Sequence, residues 1–267
     1  MAQFQAATAF VSGASSGIGL AIAQEFGRRG LQVVLASRTL ADVERKARDI
    51  PGASAVQLDV RDEANWIAAL DTAEARHGPL AVMVSNAGVS GGLMPLADTP
   101  TEMWEWSRSV NLDGAFYGLS HGARRIIASN QPGHIIATSS MAIFAPPAGA
   151  GVYIATKAAI VGMCESLRAE MSDLPIGVSV IVPGPVRTNI IDGNSDRMPE
   201  KLRKKDDPAM AAASDWVRGG LAPEVVARQA ADALGTHQFW LFTHPELEPR
   251  MDNRNAEMKS ALHRTWP

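Results

Sequence analysis

The sequence has a single cysteine, Cys164, among its 267 residues, which excludes an intrachain disulfide and any Cys-based zinc site. Its six histidines are scattered and lack HExxH or other ligand spacing, so no metal is expected. No basic tail or basic face accompanies the net charge of −3, which argues against nucleic acid or an anionic membrane as partner. A membrane-spanning run is missing too. The one long charge-free stretch, Ile126 to Thr156, is interrupted by Asn130, Gln131, Pro132, Gly133, His134, Pro146 and Pro147, whereas a span needs ~20 continuous apolar residues. The opening MAQFQAATAFVSG has neither the basic residues nor the cleavage site of a secretory signal, so a cytoplasmic location is expected. Repeats, low-complexity tracts and Ser/Gly linkers are absent, and one domain is the economical reading.

What is present is a regular alternation. Hydrophobic residues make up 46% and charged residues 20%, enough apolar content for a large core. Short apolar runs fall at Thr8 to Val11, Gln32 to Ser37, Ala55 to Leu58, Leu80 to Ser85, His134 to Thr138, Val178 to Val182 and Phe239 to Phe242. Segments with helical spacing separate them: Ile18 to Arg29, Ala41 to Asp49, Glu63 to His77, a long one from Thr101 to Ser129, Val152 to Met171 and Ala222 to Leu234. Gly30, Pro51-Gly52 and Gly78-Pro79 mark the breaks. Strand and helix alternating in this way predict an α/β fold with a doubly wound parallel sheet of about seven strands and helices on both faces. Asn189 to Gly220, with its mixed-charge run EKLRKKDD, reads as an insertion of short helices suited to a substrate lid. Pro245 to Trp266 reads as a polar helical tail.

Between the first strand and the first helix lies SGASSGIG. Gly13, Gly17 and Gly19 would let the backbone pass close to a pyrophosphate, with Ser15, Ser16 and Ile18 beside them at the helix N-terminus. The spacing is not GxGxxG and the P-loop lysine is absent, which disfavours nucleotide hydrolysis. At the end of the second strand, where an acidic residue would mark NAD, stand Ser37 and Arg38. A guanidinium suits a 2′-phosphate, so NADP(H) is favoured and NAD(H) remains the alternative.

Farther on, Ser140 precedes Tyr153 by thirteen residues, and Lys157 follows the tyrosine by four. A Tyr and a Lys at i and i+4 share a helix face. Such pairs are common on amphipathic helices, but a nearby ammonium is what favours a phenolate at neutral pH. Ser140 could hydrogen-bond the oxygen that Tyr153 protonates.

SGASSGIG, Asp59-Val60, Asn86-Ala87-Gly88, Asn111, Ser140, Tyr153-x-x-x-Lys157 and PGPVRT together resemble the short-chain dehydrogenase/reductase family, in its order and spacing from Ser12 to Thr188. Ser12 stands where the family usually has threonine, a change that keeps the hydroxyl. The resemblance implies a Rossmann-type sheet, a nicotinamide cofactor and a homodimer or homotetramer. It implies that Asp59 bonds the adenine amino group with Val60 alongside. Asn86, Ala87 and Gly88 would shape the cofactor floor, and Asn111 would hold a water leading from Lys157 to solvent. Pro183 and Gly184 would lie beneath the nicotinamide ring, with Val186 in the same turn and Thr188 bonding the carboxamide. Tyr153 and Lys157 would also touch the nicotinamide ribose.

The activity so implied is ketoreductase or alcohol dehydrogenase chemistry, with Asn111, Ser140, Tyr153 and Lys157 as the catalytic set and a small carbonyl or alcohol as substrate. A catalytically silent dinucleotide-binding sensor or scaffold, and an isomerase or dehydratase on the same fold, are the competing readings. Met94, Met141, Phe144, Pro146, Pro147, Met198, Met210 and Trp216 could line or cover an apolar cleft, pointing to a hydrophobic or aromatic substrate.

Overall fold

A computed structural model describes residues 2–193, 198–202 and 208–263. Seven strands, β1 (Thr8–Ser12), β2 (Gln32–Ser37), β3 (Ala53–Gln57), β4 (Leu80–Ser85), β5 (Gly133–Thr138), β6 (Ile176–Val182) and β7 (Trp240–Phe242), form one sheet. Its order is β3-β2-β1-β4-β5-β6-β7 and every neighbouring pair is parallel. Helices α1 (Gly17–Arg28), α2 (Leu40–Ala47), α3 (Glu63–His77), α4 (Thr101–Arg108), α5 (Gly114–Ser129), α6 (Gly151–Glu170), α7 (Pro208–Arg218), α8 (Pro223–Ala233) and α9 (Glu248–Leu262) complete the chain.

The central strands are buried along their whole length, which is why they read as unbroken apolar runs rather than alternating ones. One apolar layer gathers Phe10, Trp66, Met83, Leu119 and Ile160. The other gathers Phe4, Ile22, Phe26, Val226 and Ala230. Small residues let α1 and α8 pack directly on one another; Ala21, Ala23, Ala227 and Ala230 are all buried. Turn chemistry closes the elements as their composition predicts. Asp62 caps α3 by accepting from Ala64 N at 2.8 Å, and Gly78 ends that helix at φ +87°.

Most boundaries shift by one or two residues from the sequence reading, and two elements differ in a way that has a physical reason. The third strand starts at Ala53 and ends at Gln57, because it is the sheet's partly exposed edge and its apolar pattern is weak. The long helix expected from Thr101 to Ser129 is helical throughout but not a single regular α-helix: Ser109–Asp113 form a π turn between α4 and α5, with Gly114 N–H bonded to Ser109 O. Apolar spacing carries no sign of one inserted residue, but a side-chain anchor does explain it. Asn111, buried there, is held from the neighbouring loop by Val89 on both sides of its amide, and π turns of this kind recur at functional sites.

The expected lid and tail are described in part. Glu200–Leu202 form one 3-10 turn and α7 one helix of the segment 189–220, while 194–197 and 203–207 lie outside the described residues. The tail contains α9, and Trp266 lies outside the described residues. Among the described residues no helix is long and apolar enough to cross a membrane.

Candidate active site

The strand order reverses between β1 and β4, whose following segments therefore part and open a crevice at their carboxyl ends. The glycine-rich turn enters it from β1. Gly13 and Gly17 have φ of +68° and +58°, a region L-residues avoid. A Cβ on Gly13 would lie 2.8 Å from Ala87 Cα, and one on Gly17 would lie 2.9 Å from Thr188 Cγ2. One on Gly19 would meet both Asn86 Nδ2 and Gly13 O at 2.5 Å. The turn is thus threaded between the ends of β4 and β6, where the sequence placed its other cofactor residues. Ser16 caps α1 without a side-chain hydrogen bond. With no side-chain cap, the first turn of α1 at Gly17, Ile18 and Gly19 keeps the N–H groups that a helix N-terminus offers to an anion such as a pyrophosphate.

Ser12 explains how β1 and β4 stay in register at this point. Its hydroxyl accepts from Asn86 N at 3.0 Å and Ala87 N at 3.2 Å, and donates to Val84 O at 3.3 Å. Asn86 extends the tie: Nδ2 donates to Ser12 O, and Oδ1 accepts from Thr138 Oγ1 at 3.1 Å. Ser12 is fully buried, so Ser12→Ala would strand two N–H donors and is expected to cost about 2–4 kcal/mol. Ser12→Thr should be near neutral. Urea unfolding of the two variants checks this; equal midpoints for Ser12→Ala and wild type would refute it.

At the opposite end of the crevice, Ser37 closes β2 and its hydroxyl donates to Thr39 O. Arg38 is exposed, and its carbonyl accepts from Gln57 Nε2. Asp59 is gripped through both carboxylate oxygens by Arg61, at 2.6–3.2 Å. That hydrogen bonding, helped by the charges of Arg61 and Arg38, holds the Asp59 carboxyl below its ordinary range despite partial burial. Val60 is buried, and its carbonyl accepts from Trp66 Nε1. Arg38, Asp59 and Arg61 therefore form one cationic corner, of which the sequence reading missed Arg61.

The proton-handling groups converge where β5 meets α6. Lys157 is 2% exposed, and its Nζ donates to Thr138 O at 2.9 Å. Ser139 Oγ fixes the other end of the same residue by donating to Lys157 O at 2.8 Å. Burial pulls the Lys157 ammonium down to a pKa of about 8. Tyr153 lies one helical turn earlier, with Nζ 5.8 Å from its ring centre. Desolvation raises the tyrosine pKa, and the nearby Ser140 side chain only partly opposes this. The sequence argument expected Lys157 to lower it. With the amine turned toward Thr138, burial wins instead.

Asn111 and Lys157 meet across Gly88: a Cβ there would lie 3.3 Å from both Asn111 Oδ1 and Lys157 Nζ. Both N–H groups of the Asn111 amide and one lone pair of its oxygen are engaged. Its Oδ1 accepts from Val89 N, and its Nδ2 donates to Val89 O and to Thr156 Oγ1 at 3.1 Å. Thr156 in turn donates to Tyr153 O at 2.8 Å, coupling the π turn to the Tyr–Lys helix. The remaining side of the crevice is the turn after β6. Pro183 O accepts from Met141 N at 2.9 Å, Val186 is buried and bridges to Leu221, and Thr188 rests on Gly17.

The residues assigned from the sequence to the cofactor and catalytic sets therefore lie at the ends of β1 to β6 or in the segments that follow them, toward one edge of the sheet. The functional partners it missed are Arg61, Thr138, Ser139 and Thr156, each within three residues of one that was named. The candidate substrate-lining set is less coherent. Met94 and Met198 join Val89, Met103 and Trp106 in a small cluster beside the crevice, whereas Met141 belongs to the main core and Trp216 is 61% exposed.

A Rossmann-type sheet with a glycine-threaded dinucleotide cradle and a Ser–Tyr–Lys group at its carboxyl edge defines a class of nicotinamide-dependent oxidoreductases. Residues 7–198 match the family model described as short chain dehydrogenase, and the chain belongs to that family. It is 30% identical to a C alpha-dehydrogenase of Sphingobium sp. over 94% of this chain and 85% of that protein. It is 36% identical to an NADP-dependent (R)-specific alcohol dehydrogenase of Lentilactobacillus kefiri, over 69% of this chain and 75% of that one. Among solved structures, a short chain dehydrogenase/reductase from Burkholderia phymatum in complex with NAD superimposes with a TM-score of 0.91 at 28% identity. That alignment covers 100% of this chain and 99% of the other.

Proposed function

We propose that the protein interconverts a hydrophobic or aromatic ketone and its secondary alcohol, using NADP(H). The observation that carries this reading is the convergence of Tyr153 with the buried Lys157, whose Nζ lies on Thr138 O and 5.8 Å from the tyrosine ring centre, beside Ser140 at the end of β5. The glycine turn supports a dinucleotide reading: Gly13 and Gly17 hold positive φ, and the lack of a Cβ at Gly13, Gly17 and Gly19 lets the turn pack against Ala87, Thr188 and Asn86 directly ahead of the α1 N-terminus. Gly13 to Gly19 would hold the pyrophosphate, Arg38 the 2′-phosphate, Asp59 and Val60 the adenine, and Asn86 to Gly88 and Pro183 to Thr188 the nicotinamide half. When bound, the reduced nicotinamide supplies the hydride.

The chain's own residues manage the oxygen. Ser140 and Tyr153 would both donate to the substrate carbonyl, polarising it toward attack. Tyr153 then releases its proton to the forming alkoxide as general acid. A raised tyrosine pKa keeps that proton in place at neutral pH, which is the form ketone reduction requires. Lys157 lends positive charge as the phenolate forms. The Met94, Met103, Trp106 and Met198 cluster offers an adaptable apolar wall, which favours the hydrophobic substrate class.

The cofactor preference rests on the Arg38 corner and on the alcohol dehydrogenase relative described as NADP-dependent; the Burkholderia structure holds NAD. Fluorescence titration with NADPH and NADH tests it. Loss of one charge-assisted phosphate contact predicts about 10-fold or greater weakening of NADPH binding in Arg38→Ala, with NADH affected less than about 3-fold. Equal affinity of wild type for both cofactors would overturn the preference and leave the reductase chemistry standing.

A further inference from the structure

The end of β7 leads into Thr243 and His244, residues that none of the roles above uses. His244 is only 4% exposed, and its ring lies against the turn that follows β6. Gly184 N–H donates to Nδ1 at 3.1 Å. On the other side of the ring, Nε2 stands 3.1 Å from Pro185 O. A carbonyl can only accept, so Nε2 carries the hydrogen and Nδ1 is the bare acceptor, shared with the Thr243 hydroxyl at 2.6 Å. One tautomer of a neutral imidazole thus spans the peptide units on both sides of the turn.

The fit is close. A Cβ on Gly184 would sit 2.7–2.9 Å from three ring atoms, so only glycine allows the imidazole to lie on the backbone there. The other holds on the turn are Met141 N to Pro183 O and Leu221 N to Pro185 O, each at 2.9 Å. Without the imidazole, Gly184 N–H would lose its acceptor and Pro185 O one of its two donors.

We infer that His244 is a positioning residue that sets the backbone of the Pro183–Pro185 turn against the nicotinamide half of the dinucleotide. The inference rests on the dinucleotide reading above. It makes a prediction that the reading alone does not. On that reading the adenosine half would be bound by the ends of β1, β2 and β3, whereas the His244 ring bonds Gly184, Pro185 and Thr243, so only the nicotinamide half should respond to its loss.

The test titrates wild type and His244→Ala with NADPH and with 2′,5′-ADP, which carries the adenosine phosphates and no nicotinamide. Losing two buried hydrogen bonds at the turn predicts about 10-fold weaker NADPH binding and a change below about 2-fold for 2′,5′-ADP. A purely structural role would lower the melting temperature without separating the two probes. His244→Asn keeps an acceptor where Nδ1 stands for Gly184 N–H but is too short to bridge to Pro185 O as well, and should restore part of the NADPH affinity. It carries the same comparison if His244→Ala does not fold. Wild-type binding with equal losses for both probes, or no loss for NADPH, overturns the role of His244. A wild type that binds neither probe overturns the dinucleotide reading and this inference with it.

Discussion

Replacing Tyr153 with phenylalanine is expected to lower ketone-dependent turnover by about 10²- to 10⁴-fold, the range of a positioned general acid. Cofactor affinity and melting temperature should change little. The substitution removes one oxygen and no ring contact, so the packing of α6 survives. Ser140 is held independently, its hydroxyl accepting from Ala142 N at 3.2 Å. The chain offers no substitute donor of this kind: the other tyrosine, Tyr117, lies in α5, packed against Phe116. Steady-state assays with an aryl ketone, paired with NADPH titration, check the outcome. Turnover within a few-fold of wild type would remove Tyr153 from the mechanism.

Lys157→Met should separate activity from stability. Turnover should fall by about 10²-fold or more, because the charge that assists the forming phenolate is gone. Stability should not fall with it. A native pKa of about 8, set by burial, against about 10.4 for a free lysine means that the buried ammonium opposes folding by about 3 kcal/mol below pH 8. Removing it relieves that cost but leaves Thr138 O without its donor, a loss of about 1–3 kcal/mol. The cofactor-free variant should therefore match or slightly exceed wild type at pH 7. The sign with pH follows from the proton balance. Between pH 8 and 10.4 the unfolded chain still binds a proton that the native state has released, so wild type gains stability there as pH rises. The difference between the proteins should shift toward wild type over that window. Melting curves at pH 7 and pH 9.5 check it. A variant several kcal/mol less stable than wild type at pH 7, or a difference independent of pH, would contradict the account.

Much of this site was legible in the sequence because glycine and strand-end residues mark backbone geometry. Gly13, Gly17 and Gly19 announce close approach, and the unbroken apolar runs of β1, β5 and β6 announce strands covered on both faces. Tyr153 and Lys157 show their shared face by spacing alone. Other features depend on tertiary contacts that no local pattern encodes. The π turn at Asn111 arises from bonds to Val89 and Thr156, residues 22 and 45 positions away. The raised pKa of Tyr153 reflects desolvation in the folded chain, which spacing does not specify. Arg61 reads as an ordinary surface arginine until its grip on Asp59 is seen. His244, 60 residues from Gly184, lies in a stretch with no periodicity to interpret.

The most direct test of the central claim is to mix the purified protein with NADPH and a hydrophobic aryl ketone, then follow cofactor absorbance and alcohol formation together. The account predicts one alcohol formed for each NADPH oxidised, with both signals lost in Tyr153→Phe. Tight NADPH binding with no oxidation across a panel of such ketones would contradict it and favour a dinucleotide sensor. Substrate conversion without net cofactor consumption would point to an isomerase or dehydratase on this fold.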